Sequence, residues 1–287
     1  MGAQRLVLDG AVVVVTGAAG GIGREVVREV HRRGARVVAL DLSQAAVDDA
    51  VRGLDPDRVL AARADVTVPA DLSDAVDRAV GRWGRIDVVF ANAGISSGDS
   101  ADTVASVADG VFERVIGVNL MGVWNTVRAA LPHIIDSRGH VLVTSSTYAY
   151  LNGMVNAPYA ASKAAVEQIG RALRSELAAH GATAGVLYPG WVATPIADVA
   201  FGKDELATAL IKRAFPRPLL TPIKPRRVGL AVADGIEARS PRIQVPRRWI
   251  PVAALRGIVN PLSDAALHRD PTMIGLVREV EDRAHRR

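Results

Sequence analysis

Cysteine is absent from the sequence, so disulfide bonds, thiolate metal sites and cysteine nucleophiles are excluded. Aromatic residues make up only 4% of the chain, whereas hydrophobic residues make up 49%. The core must therefore consist largely of Ala, Val, Leu and Ile, which suits helices packed on a parallel sheet. No apolar run approaches the roughly 18 residues of a membrane span, and no small-residue cleavage site follows the first apolar run. We expect a soluble protein that stays in the cytoplasm.

The net charge of +5 is concentrated near the C-terminus, because residues 212–287 contain 16 basic and 7 acidic side chains. The arginines are scattered among prolines and apolar residues, which favours an ordinary solvated surface. No nucleic-acid-binding motif or aromatic stacking platform accompanies them, so we predict no nucleic-acid partner. The segment RRWIPVAALRGIVNPL, residues 247–262, leaves contact with a membrane open, but covering a pocket or packing on a second subunit is the favoured interpretation.

The first forty residues have the pattern of a βαβ unit. Residues 11–17, AVVVVTG, form a β-branched apolar run typical of a strand buried on both faces. Residues 21–34 place apolar side chains at helical spacing and end at a glycine, and residues 35–41, ARVVALD, form a second buried strand. This order predicts an α/β fold with a doubly wound parallel sheet, the Rossmann fold. No linker divides the chain, so we predict a single domain.

A glycine-rich turn joins the first strand to the first helix. Free N–H groups at a helix N-terminus attract an anion, and glycine lets a pyrophosphate reach them. Close packing of the helix on the strand also demands glycine, and the turn alone does not separate the two explanations. We predict that Gly17, Gly21, Ile22 and Gly23 hold the phosphates of a dinucleotide.

Asp41 closes the second strand, 18 residues beyond Gly23. A carboxylate there can accept hydrogen bonds from both hydroxyls of an adenosine ribose and would repel a 2′-phosphate. No Arg or Lys follows immediately, so we favour NAD over NADP. Asp41 could instead cap the helix predicted at residues 42–54.

Polar turns follow the third and fourth predicted strands. The carboxyl ends of parallel strands form the rim where open α/β sheets bind ligands. We therefore predict further contacts to the adenosine from Asp65, Val66, Asn92, Ala93 and Gly94, although turn-forming residues are common at strand ends.

Six short motifs follow in order along the chain: TGAAGGIG at 16–23, NAG at 92–94, VNL at 118–120, TSS at 144–146, YAASK at 159–163 and PGWVAT at 189–194. In this order and spacing, residues 8–195 resemble the short-chain dehydrogenase/reductase family in its single-domain form. The resemblance implies hydride transfer between a nicotinamide cofactor and an alcohol or ketone.

Tyr159 and Lys163 are four residues apart in a segment with helical spacing, so their side chains lie on one face of a helix. The phenol of free tyrosine has a pKa near ~10, too high for a base at neutral pH. A neighbouring ammonium, together with a positive nicotinamide ring, favours the phenolate. We therefore predict that Lys163 lowers the pKa of Tyr159.

The resemblance implies roles for the other catalytic residues. Tyr159 exchanges a proton with the substrate oxygen, and Ser146 hydrogen-bonds that oxygen. Ser145 is adjacent, but alternation along a strand lets only one of the two serines face the site, and we predict that it is Ser146. Asn119, in an apolar helical stretch, is either a satisfied buried amide or part of a helix irregularity that holds a water relaying protons to Lys163. We favour the relay, and Lys163 and Tyr159 would also contact the cofactor.

After the predicted strand TAGVLYPG, the resemblance brings Pro189 and Gly190 against the nicotinamide. The backbone of Val192 would pair with the carboxamide, and Thr194 would cap it or bind a phosphate. These contacts would fix which face of the ring is offered to the substrate.

The substrate is expected to lie under a mobile lid at about residues 195–220, within a catalytic domain of residues 1–245. We predict a helix at 225–238 and a final edge strand at 242–245 as the end of this catalytic domain. A helical extension, 246–287, follows and contains a last helix at 272–286. The predicted pocket side chains are Tyr148, Tyr150, Leu151, Met154, Val155, Trp191 and Phe201, with Val199, Leu206, Leu210 and Phe215 from the lid. None carries a charge, so we predict a bulky apolar secondary alcohol or ketone as substrate.

Three functions remain open at this stage. An NAD-dependent oxidoreductase is favoured, and an NADPH-dependent carbonyl reductase is the alternative enzyme. A dinucleotide-sensing regulator without turnover is disfavoured, since all four catalytic residues are present. The resemblance predicts a homo-oligomer, a dimer or a tetramer, although the glycine-rich C-terminal segment near the family's tetramer interface is missing.

Overall fold

A computed structural model describes residues 5–198 and 201–286 of the chain. It contains seven strands: β1 (Val12–Thr16), β2 (Arg36–Asp41), β3 (Val59–Arg63), β4 (Val88–Ala91), β5 (His140–Thr144), β6 (Thr183–Pro189) and β7 (Arg242–Val245). They form one parallel sheet in the order β3-β2-β1-β4-β5-β6-β7. The predicted doubly wound parallel sheet is confirmed.

Helices cover both faces of the sheet. They are α1 (Gly21–Arg32), α2 (Gln44–Ala50), α3 (Pro69–Trp83), α4 (Val111–Ile116), α5 (Gly122–Asp136), α6 (Ala157–Leu177), α7 (Pro195–Asp198), α8 (Glu205–Ala214), α9 (Arg217–Leu220), α10 (Pro225–Glu237), α11 (Ile250–Ala254), α12 (Arg256–Leu267) and α13 (Pro271–His285). A π-helical turn, Gly117–Met121, joins α4 to α5. Among the helices described, none is long and apolar enough to cross a bilayer.

The alternation of side chains along β1 explains its unbroken valine run. Val12 and Val14 join the core beneath α3, α5 and α6, whereas Val13 and Val15 join the core beneath α1 and α10. Every residue of β1 is buried, because helices cover both of its faces. The order of the sheet reverses between β1 and β4, which is where open α/β sheets form a crevice at the carboxyl ends of the strands.

The C-terminal part of the chain contains the predicted helix 225–238 and edge strand 242–245, as α10 and β7. Beyond them lie α11, α12 and α13, and α13 packs against α8. The division into a catalytic domain and an extension remains a prediction. Val199 of the predicted lid lies outside the described residues.

His140 begins β5 and is fully buried. Its Nδ1 lies 2.8 Å from Thr183 Oγ1, and its Nε2 has no partner within the part of the chain that is described. Burial, assisted by the positive charges of Arg239 and Arg174, lowers the pKa of the imidazole to about 3. The folded protein therefore keeps His140 neutral, whereas the unfolded chain protonates it below about pH 6.5.

Acid is therefore expected to destabilise the protein through His140. Between about pH 7 and about pH 4.5 the unfolded state gains a proton that the folded state cannot bind, which lowers the free energy of unfolding by about 3 kcal/mol. His140→Leu should remove that loss, as measured by urea denaturation at both pH values. His180→Leu changes an exposed histidine and should retain the loss; equal behaviour of the two variants would contradict the prediction.

Candidate active site

A cavity of about 640 Å³ opens at the carboxyl ends of the strands, beside the reversal in sheet order. Three of the four predicted catalytic residues line it: Ser146, Tyr159 and Lys163. The predicted cofactor residues of the turns also line it: Gly17, Gly21, Ile22, Gly23, Asp41, Asp65, Val66, Asn92, Ala93, Gly94, Pro189, Gly190, Val192 and Thr194. The structure thus brings together residues that lie up to 177 positions apart in the sequence.

The glycines of the first turn are required by the protein's own packing. A Cβ atom on Gly17 would lie 2.8 Å from Ala93 Cα, and one on Gly23 would lie 2.0 Å from Gly17 O. A Cβ on Gly21 would lie 2.6 Å from Thr194 Cγ2. Side chains at these positions would push α1 away from β1 and from the turn after β6. The packing explanation of the glycines is therefore correct, whether or not phosphate also requires them.

The same turn leaves the N-terminus of α1 open to the cavity. Gly20 is the N-cap residue, and no side chain caps the helix. The first N–H groups of a helix have no partner within the helix, and those of Gly21, Ile22 and Gly23 belong to residues that line the cavity. Backbone donors at the positive end of a helix dipole, beside a cavity, suit a phosphate.

Asp41 does not cap α2. Ser43 Oγ accepts a hydrogen bond from Ala46 N at 3.3 Å and fills that role. The Asp41 carboxylate instead accepts hydrogen bonds from Ala19 N at 2.9 Å and Leu42 N at 2.8 Å. These two bonds hold the carboxylate at the edge of the cavity, beside the glycine turn. The alternative in which Asp41 caps α2 is therefore wrong, and the Asp41 carboxylate lines the cavity instead.

The ends of the neighbouring strands are fixed by hydrogen bonds of the same kind. Asn92 Nδ2 donates to Thr16 O at 3.2 Å, and Asn92 Oδ1 accepts from Thr144 Oγ1 at 3.1 Å, so one amide joins the ends of β1, β4 and β5. Asp65 accepts hydrogen bonds from the N–H and the hydroxyl of Thr67, which lower the pKa of its carboxyl group. Asp65 is therefore an ionised acceptor on the cavity wall.

Tyr159 and Lys163 lie on one face of α6, as predicted from their spacing. Lys163 Nζ is 5.5 Å from the centre of the Tyr159 ring and donates to Thr144 O at 3.1 Å. Ser146 Oγ accepts a hydrogen bond from Tyr148 N at 3.2 Å, and the Ser146 hydroxyl lies close enough to the Tyr159 phenol to lower its pKa. Ser145 turns the other way, and its hydroxyl donates to Lys163 O at 2.7 Å. One serine thus faces the tyrosine while its neighbour anchors the helix.

Burial dominates the ionisation of this pair. It raises the pKa of the Tyr159 phenol, and the neighbouring Ser146 hydroxyl opposes that effect. Burial also lowers the pKa of the Lys163 amine to about 8. The Lys163 amine therefore changes its protonation state close to neutral pH. The lowering of the Tyr159 pKa by Lys163 together with a positive nicotinamide ring remains a prediction, because burial is the larger effect among the protein's own groups.

Asn119 lies in the π-helical turn and is fully buried beneath the cavity. Its Nδ2 donates to Ile95 O at 3.0 Å and to Ser162 Oγ at 3.1 Å, and its Oδ1 accepts from Ile95 N at 2.8 Å. A Cβ on Gly94 would lie 3.2 Å from Asn119 Oδ1 and 3.3 Å from Lys163 Nζ. The satisfied amide and the helix irregularity therefore occur together, and π-turns are frequent at functional sites.

The turn after β6 is supported from behind by a residue of the C-terminal extension. Trp249 is fully buried, and a Cβ on Gly190 would lie 2.4 Å from its Nε1. Thr194 Oγ1 donates to Val192 O at 3.3 Å, and Val192 pairs with Ile223 in an isolated parallel bridge. Sequence reasoning missed Trp249, since nothing near it in the chain indicates which turn it supports.

Three predicted pocket residues do lie together. Tyr148 and Trp191 line the cavity with their rings edge to face and their centres 5.8 Å apart. Phe201 packs behind Trp191, at 5.0 Å between ring centres, and does not itself line the cavity.

Tyr150, Leu151 and Met154 were predicted to line the pocket, and the structure places none of them on the cavity wall. Tyr150 points into the core, where its hydroxyl donates to Gln244 Oε1 at 3.2 Å and its ring packs on Tyr188. Met154 joins an apolar cluster with Met273 and Val277 of α13. These residues lie close to the site in sequence, but packing with distant segments turns them away from it.

Helix α8, which lies in the segment predicted to form a lid, presents a different face to the cavity from the one predicted. Leu206 and Leu210 pack in the cluster that α13 completes, and Ala207 and Ile211 line the cavity instead. Phe215 belongs to the cluster around Trp249. The helix therefore has two apolar faces, and the C-terminal helix covers the one richer in leucine.

A buried carboxylate connects the lid to the rest of the cavity wall. Asp204 Oδ1 caps α8 by accepting from Leu206 N and Ala207 N, and its Oδ2 accepts from Ala101 N at 2.8 Å. Arg283 of α13 pairs with the same carboxylate at 2.9 Å and donates to Ala101 O at 2.8 Å. Ala101 and Ala207 both line the cavity, so this single carboxylate links two of its walls to the C-terminal helix.

Sequence reasoning also missed the loop after β4. Residues 95–98, together with Ser100 and Ala101, line the cavity, and so does Asn156 in the turn before α6. Val155, the residue before Asn156, was predicted and does line the cavity. The sequence of the loop after β4 is that of an ordinary polar turn. Only its position, directly after the predicted contacts Asn92, Ala93 and Gly94, could have indicated that it lines the cavity.

Comparison with known proteins agrees with this geometry. Residues 11–204 match the family model described as short chain dehydrogenase. The chain is 37% identical over 205 residues to momilactone A synthase of Oryza sativa subsp. japonica, covering 71% of this chain and 74% of that protein. It is 34% identical over 205 residues to (-)-trans-carveol dehydrogenase of Rhodococcus erythropolis, covering 66% and 73%.

Among solved structures, a short chain dehydrogenase/reductase from Burkholderia phymatum in complex with NAD is similar to this one. The TM-score is 0.76 at 25% sequence identity, and the match covers 93% of this chain and 98% of that chain. The family match spans both the glycine turn and the Tyr159–Lys163 pair. The chain therefore belongs to the short-chain dehydrogenase/reductase family, a family of oxidoreductase enzymes.

Proposed function

We propose that the protein is an NAD-dependent oxidoreductase that interconverts a bulky, apolar secondary alcohol and its ketone. The observation that carries the proposal is that Ser146, Tyr159 and Lys163 line the same cavity as the open N-terminus of α1 and Asp41. A proton-transfer group, a buried amine and a phosphate-binding helix end in one cavity are the parts that alcohol oxidation with a nicotinamide cofactor requires.

The residues around the glycine turn fit NAD, which supplies the hydride acceptor when it is bound. The N–H groups of Gly21, Ile22 and Gly23 suit its pyrophosphate. The carboxylate of Asp41 suits the two hydroxyls of the adenosine ribose and would repel a 2′-phosphate. Lys163 is the only cationic side chain among the described residues that line the cavity, which supports NAD over NADP.

Each catalytic side chain then has a distinct task. Tyr159 exchanges the proton with the substrate oxygen, and Ser146, whose hydroxyl lies beside the Tyr159 phenol, holds the same oxygen. Lys163 is held by the carbonyl of Thr144, and its positive charge, together with that of the oxidised nicotinamide ring, would favour the phenolate. Asn119 keeps the loop after β4 against α6, and a proton relay to Lys163 through a water is part of this proposal.

The lining of the cavity supports an uncharged, bulky substrate. Tyr148, Trp191 and Ile211 supply apolar surface, and the charged residues that line it within the described chain are Lys163 and the two carboxylates assigned to the cofactor. A charged substrate would lack a partner in such a pocket. The relative named (-)-trans-carveol dehydrogenase has an uncharged secondary alcohol as the substrate in its name.

The test is a panel of apolar secondary alcohols, offered with NAD⁺ and then with NADP⁺, in which the absorbance of the reduced nicotinamide is followed. Turnover of bulky alicyclic alcohols with NAD⁺ would support the proposal. Turnover with NADP⁺ alone would favour the carbonyl reductase. Binding of NAD⁺ without turnover of any alcohol would favour the regulator, and a preference for small polyols or charged sugars would overturn the substrate class.

Replacing Asp41 by asparagine tests the cofactor preference. The amide cannot accept two ribose hydroxyl hydrogen bonds as a carboxylate does, and it no longer repels a phosphate. We expect the ratio of kcat/KM with NAD⁺ to that with NADP⁺ to fall by about 10- to 100-fold. The control is Asp57→Asn, the same change at an exposed site away from the cavity, which should leave the ratio unchanged. An unaltered ratio in Asp41→Asn would show that the carboxylate does not select the cofactor.

A further inference from the structure

Asn156 occupies the N-cap position of α6 but does not cap the helix. Asparagine is favoured at this position because its side-chain oxygen can accept a hydrogen bond from the first turn. The Asn156 side chain makes no such bond. Asn156 therefore does not stabilise the helix by capping, which is the usual reason for an asparagine at this position. Such departures from local preference are expected at functional positions.

The side chain of Asn156 is directed across the cavity wall. Its Oδ1 accepts a hydrogen bond from Ser97 Oγ at 2.7 Å, although the two residues are 59 positions apart. Both residues line the cavity. Within the described chain, its Nδ2 donates to no protein acceptor. The bond from Ser97 fixes the orientation of the amide and leaves an N–H donor available on the wall.

The backbone before Asn156 is strained in a way that presents these side chains. Val155 has a φ of 56°, in the left-handed region that β-branched residues rarely adopt. Val155 also lines the cavity. Strain of this kind persists where surrounding structure imposes it, and it concentrates at binding sites. The turn thus places an apolar side chain and an amide next to each other on the wall.

Beyond Ser97, one part of the wall beside Asn156 is apolar, since the preceding residue, Val155, packs in one cluster with Ala101 and Ala207. Ala101, Val155, Ala207 and Ile211 line the cavity, and Ala101 and Ala207 are held in place by the carboxylate of Asp204. A neutral donor on such a wall suits an oxygen atom of a largely apolar molecule, because a hydrogen bond shielded from water discriminates strongly against a ligand that lacks the acceptor.

We propose that Asn156 is a specificity-determining residue that donates a hydrogen bond from Nδ2 to a second oxygen of the substrate, distinct from the reacting one. The substrate class is then an apolar alicyclic secondary alcohol that also carries a carbonyl or ether oxygen away from the carbinol carbon. This inference rests on the proposed function for the reacting oxygen. It adds a second recognised oxygen, by which the protein distinguishes one apolar alcohol from another.

The test uses matched pairs of alicyclic secondary alcohols in which one ring CH₂ away from the carbinol carbon is replaced by a carbonyl group or an ether oxygen. We expect the protein to favour the oxygenated member by about tenfold in kcat/KM, through KM. In Asn156→Leu, which has a similar size and no donor, the ratio should fall to about one. Asn156→Asp keeps the acceptor for Ser97, removes both amide hydrogens and should lose the preference as well, which guards against a folding defect in the leucine variant.

Asn152→Leu is the matched control, since Asn152 lies in the same loop but is exposed and does not line the cavity. It should retain the preference. Calorimetric titration of each alcohol onto the protein provides a second readout that does not require turnover. A tenfold difference in affinity that Asn156→Leu removes would sustain the inference even if neither alcohol were oxidised. Binding without oxidation would count against the proposed function alone. Equal affinity of the native chain for both members, or a preference retained by both Asn156 variants, would overturn it.

Discussion

Replacing Tyr159 by phenylalanine is expected to lower the turnover number by about 10³-fold, the size of effect typical of a proton-transfer group. The phenylalanine ring keeps the edge-to-face packing on Tyr148, where the ring centres are 5.9 Å apart, so the cavity should retain its shape. Only the hydroxyl beside Ser146 is lost. The measurement is the rate of reduced nicotinamide formation with a saturating alcohol. The dissociation constant for NAD⁺, measured by calorimetry, should change by less than about tenfold, because one hydrogen bond at most is removed.

Tyr188→Phe is the matched control for this variant. Tyr188 is buried in β6, packs on Tyr150 and does not line the cavity, so the same chemical change is made outside the site. Its turnover should stay close to that of the native chain. If Tyr159→Phe retained turnover within about tenfold, a different group would have to exchange the proton with the substrate.

Replacing Lys163 by methionine is expected to abolish turnover and, at neutral pH, to remove a cost in stability. The Lys163 side chain is 2% exposed, and burial lowers the pKa of its amine to about 8, from an ordinary value of 10.5. Below about pH 8 the folded protein therefore carries a buried ammonium that the unfolded chain would solvate better. Methionine has a similar length and carries no charge. We expect turnover to fall by at least about 10²-fold.

The sign of the pH dependence follows from the direction of that shift. Between about pH 8 and about pH 10.5, the unfolded chain holds a proton on this amine more often than the folded protein does, so raising the pH stabilises the native chain. Lys163→Met lacks this effect. Its advantage in free energy of unfolding over the native chain should therefore shrink by about 3 kcal/mol between about pH 7 and about pH 10. Urea denaturation at the two pH values measures it.

Lys212→Met provides the comparison, because Lys212 is an exposed lysine on α8. The difference in stability between that variant and the native chain should not depend on pH in this range. If the Lys163→Met difference were equally flat, the amine would have to be solvated in the folded protein.

Much of this site followed from local sequence. The spacing of Tyr159 and Lys163 fixes a shared helix face, because residues four apart in a helix are neighbours whatever surrounds them. Strand alternation separated Ser146 from Ser145, which in the structure contact Tyr159 and the Lys163 carbonyl respectively. The orientation of Tyr150 could not be predicted in this way. Its partner, Gln244, lies 94 residues away.

The C-terminal helices account for most of the differences between expectation and structure. Helix α13 covers the leucine face of α8 and draws Met154 out of the predicted pocket. Trp249 supports the turn at Gly190, a contact across 59 residues of sequence. No periodic pattern specifies which of two apolar faces meets which neighbour, because either face would bury similar apolar area.

The sequence by itself therefore determined the β-branched strands, their order with the helices, the glycine turn and the Tyr159–Lys163 pair. Each depends on spacing within a few residues. A parallel strand buried on both faces is a continuous apolar run, which can be recognised in the sequence alone. The tertiary structure alone decided which side chains line the cavity. Ala207 and Ile211 line it instead of Leu206 and Leu210, and Asn156 is held on its wall by the hydrogen bond with Ser97. Those choices depend on contacts between segments distant in the chain, whose energies are set by packing and by hydrogen bonds that no local pattern encodes.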